Sequence, residues 1–282
     1  MSKLEPGCNG LPRLRLQAAD GACAEIYAHG AHLTSWIPAG GGEGLYLSGS
    51  SVFDGKTALR GGVPVIFPQF AGEGPLPKHG FARTLPWRLV EAVQPAQGAA
   101  RALFELTDSE ATRSVWPQAF RARLEVTVGG KALQTTLAVE NTGQAQWQFT
   151  AALHSYLRVA DVEAVRLRGL QGLRYRDTAR GGEPGQEQAA ELAIAGEVDR
   201  IYFDAPPALE LRGPLQHLHI EAQGFADAVV WNPGAVAGAR LKDLDPGGYR
   251  HFLCVEAAAI GRPVQLAPGA RWSGSQRLSR LT

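Results

Sequence analysis

Glycine and proline recur so often between residues 60 and 83 that no regular helix can form there. Proline lacks a backbone donor and clashes with the preceding helical turn, and glycine costs a helix interior about 1 kcal/mol relative to alanine. The segment should therefore run in short extended pieces and approach another group closely. Over the whole chain, 34 glycines and 18 prolines make up about 18% of 282 residues, against an average of about 12%. This excess fits many strands joined by turns and argues against a helical bundle.

Strand patterns follow one another along the chain. Short runs rich in apolar, β-branched and aromatic residues are bounded by glycine, proline or polar turn residues. In chain order, we predict strands over Ala24–Ala28, Ala31–Trp36, Arg88–Ala92, Arg101–Leu106, Trp147–Val159, Arg200–Phe203, His217–Ala222, Ala228–Trp231, His251–Glu256 and Ala270–Leu278.

The clearest β-hairpin pattern spans Phe120–Glu140. Apolar residues alternate with charged or hydroxyl residues over positions 124–128 and again over 133–139. Such alternation is typical of strands with one buried face. Gly129-Gly130 lies between the two runs, and we predict that these two residues form the turn.

The segment Gly181–Glu197 interrupts the succession of strands. It is rich in Gly, Gln and Glu, with one short helical pattern around Glu187–Ala195. We interpret it as an excursion from a sheet rather than a linker, because no repeat, low-complexity block or change of composition divides the chain. The pattern as a whole predicts an all-β fold, a large β-sandwich with few short helices, in a single domain covering residues 1–282.

Composition and charge argue against several classes of protein. The 28 Lys and Arg and 27 Asp and Glu give a net charge of +1, which favours neither nucleic acid nor an anionic membrane surface as a partner. Cys8, Cys23 and Cys254 lack metal-ligand spacing and form no disulfide framework, which suggests a reducing compartment. No apolar run resembles a signal peptide or a membrane helix. We therefore expect a soluble, cytoplasmic protein, and a monomer.

Four basic side chains interrupt the glycine- and proline-rich stretch, whose other residues are largely apolar or aromatic. They are Arg60, Lys78, His79 and Arg83. Charged groups fixed in such surroundings usually have a partner. Any one of them could equally be a solvated charge on a structural loop, but the four together favour a functional site.

Two further titratable residues lie in apolar strand patterns. Alternation places His154 opposite Leu153 and Leu157, so it should point toward a cleft or solvent. A histidine in a strand is nevertheless more often a hydrogen-bonded structural residue than a catalyst. Glu256 ends the apolar strand that begins near Phe252. Because an unpaired buried carboxylate costs several kcal/mol, we expect Glu256 to have either a functional role or an arginine partner.

Motifs for other chemistries are absent or weak. The sequence has no Gly-x-Gly-x-x-Gly before a helix, no Walker loop and no Gly-x-Ser-x-Gly elbow. Two close histidine pairs, His29 with His32 and His217 with His219, raise the alternative of a metal site. Without nearby cysteine or a clear third ligand, we interpret them as surface imidazoles. We predict no metal and no cofactor.

Several motifs occur in an order that matches a known family. They are Arg-Gly-Gly-Val-Pro from Arg60, Leu-Pro-x-His-Gly-Phe-Ala-Arg from Leu76, His-Ser-Tyr-Leu-Arg from His154, Val-Asp-Arg-Ile-Tyr from Val198 and Cys-Val-Glu from Cys254. This pattern resembles the hexose-6-phosphate mutarotases, or glucose-6-phosphate 1-epimerases, of the aldose 1-epimerase (galactose mutarotase-like) superfamily. The motifs extend over about residues 58–260 and so cover most of the chain. The resemblance implies the β-sandwich of that superfamily.

The resemblance also implies an acid and a base. In the family, the histidine of a His-x-Tyr-x-Arg-like strand is the general acid and the glutamate two residues after a cysteine is the general base. These positions are His154 and Glu256 here. Interconversion of α and β anomers opens the sugar ring, which removes the proton of the C1 hydroxyl while the ring oxygen receives one. A carboxylate near its reference pKa of ~4.3 and an imidazole near ~6.5 can act as base and acid together at neutral pH.

The ligand that the resemblance implies is a hexose 6-phosphate. Arg60 and Arg83 match arginines that contact the phosphate, and Asp199 matches an aspartate that binds sugar hydroxyls. Lys78 and His79 belong to the motif that lines the same site, although some members have Gln at the position of Lys78.

Two other functions stay open at this point. One is an aldose 1-epimerase acting on free sugars, and the other is a non-catalytic carbohydrate-binding protein with the same fold. Ala257-Ala258 also follow Glu256 where many family members have Pro-Gly. The joint presence of His154 and Glu256 favours the enzyme, because a binding module needs neither an acid nor a base.

Overall fold

The computed structural model describes residues 3–281, which form antiparallel sheets with little helix. Its strands are β1 (Glu5–Pro6), β2 (Pro12–Gln17), β3 (Cys23–Tyr27), β4 (His32–Ile37), β5 (Val65–Ile66), β6 (Arg88–Val93), β7 (Ala100–Thr107), β8 (Phe120–Gly129), β9 (Ala132–Asn141), β10 (Trp147–Leu153), β11 (Tyr156–Arg158), β12 (Arg166–Arg168), β13 (Arg174–Asp177), β14 (Glu183–Gln186), β15 (Glu191–Ala193), β16 (Val198–Tyr202), β17 (Ala208–Arg212), β18 (His217–Gln223), β19 (Asp227–Asn232), β20 (Phe252–Leu266) and β21 (Arg271–Leu281). The helices of this range are α1 (Glu110–Val115) and α2 (Gly234–Gly238), with short 3-10 turns at Cys8–Gly10, Ala82–Thr84, Val162–Ala164, Thr178–Arg180 and Gly248–His251. The prediction of an all-β fold is confirmed.

Three sheets contain these strands. A small sheet has the order β1-β2-β3-β4. An eight-stranded sheet has the order β14-β13-β16-β19-β20-β10-β5, with β11 also paired to β20. A nine-stranded sheet has the order β15-β12-β17-β18-β21-β9-β8-β7-β6.

The two large sheets enclose one apolar core, as a sandwich requires. Leu137 of β9 and Leu278 of β21 belong to the same buried cluster as Leu153 of β10 and Val255 of β20. Burial alternates along β8 and β9 because successive side chains of a strand point to opposite faces. The eight-stranded sheet also has buried residues on its other face, and that face positions the site described below.

The predicted hairpin is present, but its turn lies one residue later than predicted. Gly129 pairs with Ala132, so Gly130 and Lys131 form the turn. The reason is register: the observed pairing sets Val128 opposite Leu133, both buried. A turn at 129–130 would have set Val128 opposite Lys131, forcing a charge into the core. Gly130 has the positive φ, +59°, that such turns favour.

The segment Gly181–Glu197 contains no helix, so the short helical pattern around Glu187–Ala195 does not form one. It contributes β14 to one edge of the eight-stranded sheet and β15 to one edge of the nine-stranded sheet. Strand pairing overrides the weak helical pattern here, because the buried Leu192 packs into the main core from β15. The segment therefore crosses from one large sheet to the other.

No helix within residues 3–281 is long and apolar enough to cross a membrane. The cytoplasmic location, the monomeric state and the single-domain organisation stay predictions.

Candidate active site

Two adjacent glycines fix the position of Arg60. Gly61 and Gly62 have φ values of +116° and +61°. A Cβ on Gly61 would lie 2.3 Å from the carbonyl oxygen of Tyr46, and one on Gly62 would lie 2.1 Å from that of Leu33. No other residue fits at either position. The sequence predicted that this segment approaches another group closely, and that group is the backbone at Tyr46 and Leu33. This contact fixes the backbone position from which the Arg60 side chain extends.

The strand predicted over Trp147–Val159 is divided at His154 and Ser155, which separate β10 from β11. The register is the same on both sides of the break, with Leu153 opposite Ala257 and Tyr156 opposite Cys254 of β20. His154 consequently lies opposite Glu256. Facing residues of an antiparallel pair are neighbours across the sheet, so the pairing itself brings the imidazole and the carboxylate together.

The two side chains meet on the face of the eight-stranded sheet that points away from the main core. His154 Nε2 lies 3.3 Å from Glu256 Oε1. Their residues are only 8% and 2% exposed. Leu153 and Leu157 pack into the main core instead. The sequence-based prediction of which way His154 faces agrees with this arrangement.

A cavity of about 180 Å³ lies over this pair, which is enough to hold several water molecules or a small polar ligand. All seven site residues predicted from the sequence line it: Arg60, Lys78, His79, Arg83, His154, Asp199 and Glu256. The lining also includes residues that were not predicted: Phe70, Ala71, Thr178, Val229, Trp231 and Leu241. Alternation along β19 could have indicated Val229 and Trp231, whereas Thr178 and Leu241 lie in irregular segments that gave no signal.

Arg60 is held by two partners at the edge of the cavity. Its Nη1 donates to the hydroxyl of Tyr156 at 3.0 Å, and its Nη2 donates to Asp243 Oδ2 at 3.1 Å. Burial opposes the charge of Arg60, but Tyr156 and Asp243 outweigh it and raise the pKa of the guanidinium. Arg60 therefore combines a structural ion pair with a place in the cavity wall.

Arg83 differs from Arg60 in having no acidic partner. Its Nη2 donates to the backbone oxygen of Lys78 at 2.9 Å. No carboxylate of residues 3–281 forms an ion pair with it, and its buried Nε has no hydrogen-bond partner. Burial and the nearby Arg60 lower its pKa. A partly buried cation usually has a counter-charge, so the Arg83 guanidinium is available to bind an anion.

His79 is fixed as a neutral imidazole. The backbone N–H of Ala71 donates to its Nδ1 at 3.2 Å, and its ring lies edge-on to that of His154, with centroids 5.9 Å apart. Burial and the charge of Arg83 lower its pKa to about 3. Because Nδ1 accepts, the ring proton is on Nε2, where it can serve as a hydrogen-bond donor.

Asp199 and Lys78 also line the cavity. Burial raises the pKa of Asp199, while Thr178 and the ammonium of Lys78 oppose that rise. Lys78 itself is exposed. Trp231 packs edge-on against His154, with centroids 5.7 Å apart. Together these residues supply a carboxylate acceptor, an exposed cation and an aromatic surface.

The pKa values of the acid–base pair do not stay near their reference values, as the sequence-based argument assumed. Burial, His79, Arg60 and Arg83 lower the pKa of His154 well below 6.5. Burial and the charge of Asp199 raise the pKa of Glu256 well above 4.5. Water cannot stabilise either charge at this site. Both shifts therefore favour the neutral forms of the two side chains.

The interpretation of the paired histidines as surface residues was wrong for one pair. His29 and His32 are buried, and their Nε2 atoms bond the backbone oxygens of Thr57 and Gly61, both at 2.8 Å. They join the turn between β3 and β4 and the start of β4 to backbone on the two sides of Arg60, which explains their spacing without a metal. Within residues 3–281, no three His, Cys, Asp or Glu side chains are grouped as metal ligands.

Comparison with known proteins gives one consistent family. The model of a family described as aldose 1-epimerase matches residues 12–279. A protein of Cenchrus ciliaris is 34% identical over 282 residues, covering 97% of this chain and 86% of its own length. One of Escherichia coli K12 is 34% identical over 239 residues, covering 83% and 79%. Both are named "Putative glucose-6-phosphate 1-epimerase".

Solved structures show the same relationship. The crystal structure of "a putative mutarotase" from Salmonella typhimurium matches with a TM-score of 0.87 at 30% identity, covering 97% of this chain and 92% of that one. A galactose mutarotase-like protein from Clostridium acetobutylicum, at 14% identity, shares the fold with a TM-score of 0.79 and covers 100% of this chain and 98% of its own. The predicted galactose mutarotase-like β-sandwich is confirmed.

Proposed function

Because the chain belongs to the aldose 1-epimerase family, we propose that it interconverts the α and β anomers of glucose 6-phosphate or a closely related hexose 6-phosphate. The observation that supports this most is the composition of one cavity. It combines an imidazole and a carboxylate that contact each other with two partly buried guanidinium groups, and one of these, that of Arg83, has no ion-pair partner within residues 3–281. A monosaccharide phosphate needs both parts, since the pair acts on its anomeric carbon and the cations bind its phosphate.

The reaction has two reciprocal steps. For ring opening, the Glu256 carboxylate takes the proton of the C1 hydroxyl while the bond from C1 to the ring oxygen breaks. His154 gives its proton to that oxygen, and C1 becomes an aldehyde. The C1–C2 bond then rotates, and the hydroxyl formed from the former ring oxygen adds to the other face of the aldehyde. In this step His154 takes back its proton from that hydroxyl, and Glu256 returns a proton to O1. Protons balance over the cycle, and no group is oxidised or reduced.

Substrate binding prepares the pair for this reaction. The productive form has Glu256 ionised and His154 protonated, so a proton must pass from one to the other across their 3.3 Å contact. Arg60 and Arg83 both oppose a positive His154. A phosphate dianion bound to these arginines would offset their charge and favour the imidazolium. The phosphate thus contributes to catalysis as well as to binding.

The remaining cavity residues are suited to the sugar. The Nε2 proton of His79 can be donated to a ring hydroxyl, and Asp199 can accept from one. Trp231 offers an apolar surface to the ring carbons. Lys78, exposed at the rim, adds a third positive charge for the phosphate.

One observation favours a second candidate, an aldose 1-epimerase acting on free sugars. Arg60 is already paired with Asp243, so part of the positive charge has a structural partner. Arg83 has no acidic partner within residues 3–281, and this difference between the two arginines favours the phosphorylated substrate.

The test compares anomer exchange for glucose 6-phosphate and glucose at equal concentrations. We expect kcat/KM to be at least about 100-fold higher for the phosphorylated sugar, since each charge-assisted bond contributes about 1.5–3 kcal/mol. Equal values would favour the free-sugar epimerase. Binding of either sugar without accelerated exchange would favour a non-catalytic protein.

A further inference from the structure

Tyr156 is buried between the guanidinium of Arg60 and the imidazole of His154. Its ring stacks on His154, with centroids 4.8 Å apart and an interplanar angle of 11°. Its hydroxyl accepts the N–H of Arg60 Nη1 at 3.0 Å. Only 2% of the residue is exposed. One side chain therefore touches a group assigned to the phosphate and a group assigned to proton transfer.

The tyrosine ring has little freedom to move. Trp231 packs against it edge-on at 5.9 Å, and Phe252 packs at 5.0 Å and 53°. Packing on this scale fixes a rotamer, so the positions of the hydroxyl and of the stacked face are both determined.

The two anchors of Arg60 act differently on its charge. Asp243 neutralises part of it through an ion pair. Burial raises the pKa of the Tyr156 phenol, which is therefore neutral at physiological pH. A neutral acceptor orients the guanidinium while leaving its charge available to a dianion.

We propose that Tyr156 is a positioning residue that aims Arg60 at the substrate phosphate through its hydroxyl and holds the plane of His154 through its ring. The proposal rests on the proposed function, since it names how two parts of that site are kept in register. The hydroxyl and the ring of Tyr156 have different roles, and substitutions can remove the hydroxyl alone or both groups.

Tyr156→Phe removes the hydroxyl and keeps the ring. We expect Kd and KM for glucose 6-phosphate to rise about three- to tenfold, the net value of one ordinary hydrogen bond, because the lost bond orients Arg60 and does not itself contact the phosphate. kcat should fall by less than about threefold, because the stacked ring remains. In an Arg60→Ala background the same change should raise KM no further, since the group that the hydroxyl orients is gone.

Tyr156→Leu also removes the ring. kcat should then fall about 10- to 100-fold on glucose 6-phosphate and on glucose alike, because a small misplacement of the acid is costly. A loss of kcat on both sugars would show the role of the ring, because loss of the hydroxyl alone should affect mainly the binding of glucose 6-phosphate.

Tyr202→Phe is a matched control. Tyr202 is also buried, and its hydroxyl bonds Glu187 Oε2 at 2.8 Å beside Arg200. It lies on the core side of β16, away from the cavity. Removing the Tyr202 hydroxyl should lower the melting temperature as much as Tyr156→Phe does, and it should leave KM for glucose 6-phosphate unchanged.

Calorimetric Kd values for glucose 6-phosphate need no turnover and keep this test independent of activity. The proposal is overturned by a Tyr156→Phe protein with wild-type Kd, or by a rise in KM that persists without Arg60. Wild-type protein that binds glucose 6-phosphate but exchanges no anomers would refute the proposed function alone. Wild-type protein that does not bind it would refute both.

Discussion

Arg83 provides a test of the phosphate site in which function and stability should separate. Within residues 3–281 its guanidinium forms no ion pair, and its Nε has no acceptor. Replacing Arg83 with leucine removes the group that we assign to the phosphate, together with one hydrogen bond to the backbone of Lys78.

The expected magnitudes follow from these contacts. Loss of a charge-assisted bond to the phosphate is worth about 1.5–3 kcal/mol, so kcat/KM for glucose 6-phosphate should fall about 10- to 150-fold. The lost backbone bond, about 1 kcal/mol, is offset by removal of a buried group that lacks a partner, about 1–3 kcal/mol. The free energy of unfolding, measured without substrate, should therefore change by no more than about 1 kcal/mol, or increase. Anomer exchange and urea unfolding measure the two quantities.

Arg60→Leu is the comparison. It leaves Asp243 and the Tyr156 hydroxyl without their partner, and should lower the free energy of unfolding by about 1–3 kcal/mol. The reasoning is refuted if Arg83→Leu destabilises the protein as much as Arg60→Leu does. It is also refuted if Arg83→Leu slows glucose and glucose 6-phosphate equally, because Arg83 would then be a structural residue.

Three further predictions concern titratable groups. Glu256→Gln and His154→Ala should each lower kcat about 10²–10⁴-fold, and the double variant should lose less than the product of the two factors in the same exchange assay. Because the pKa of His154 is lowered and that of Glu256 is raised, kcat/KM measured against pH should be flat over a broad range, with its acid limb below pH 6.5; an acid limb at or above 6.5 would contradict this. Burial lowers the pKa of His32 to about 4, so the unfolded chain binds more protons between about pH 4 and 6.5, and stability falls as pH falls. Urea unfolding should show a loss of about 2 kcal/mol from this residue between pH 7 and pH 5, absent in His32→Gln; an equal loss in that variant would assign it to other groups.

The predictions from the sequence succeeded where local pattern was sufficient. Alternation identified the hairpin β8–β9 and the direction of His154, because a strand's side chains have a fixed period of two. The order of the motifs identified all seven predicted residues of the cavity wall. These signals depend on neighbours in the chain and need no knowledge of packing.

The failures share a different cause. The partner of Arg60 is Asp243, 183 positions away, and no local pattern indicates that contact. β15 forms because Leu192 enters the core, and His32 is buried because β4 packs near Gly61. The shifts in the pKa values of His154 and Glu256 likewise arise from burial and from charges on other segments. Each of these depends on the assembled sandwich.

The most direct test of the account is NMR exchange between the anomeric protons of glucose 6-phosphate with catalytic amounts of protein. The wild-type protein should accelerate the exchange in proportion to its concentration, and Glu256→Gln should accelerate it at least about 100-fold less. Exchange at the uncatalysed rate with wild-type protein, or equal acceleration by both proteins, would contradict the account.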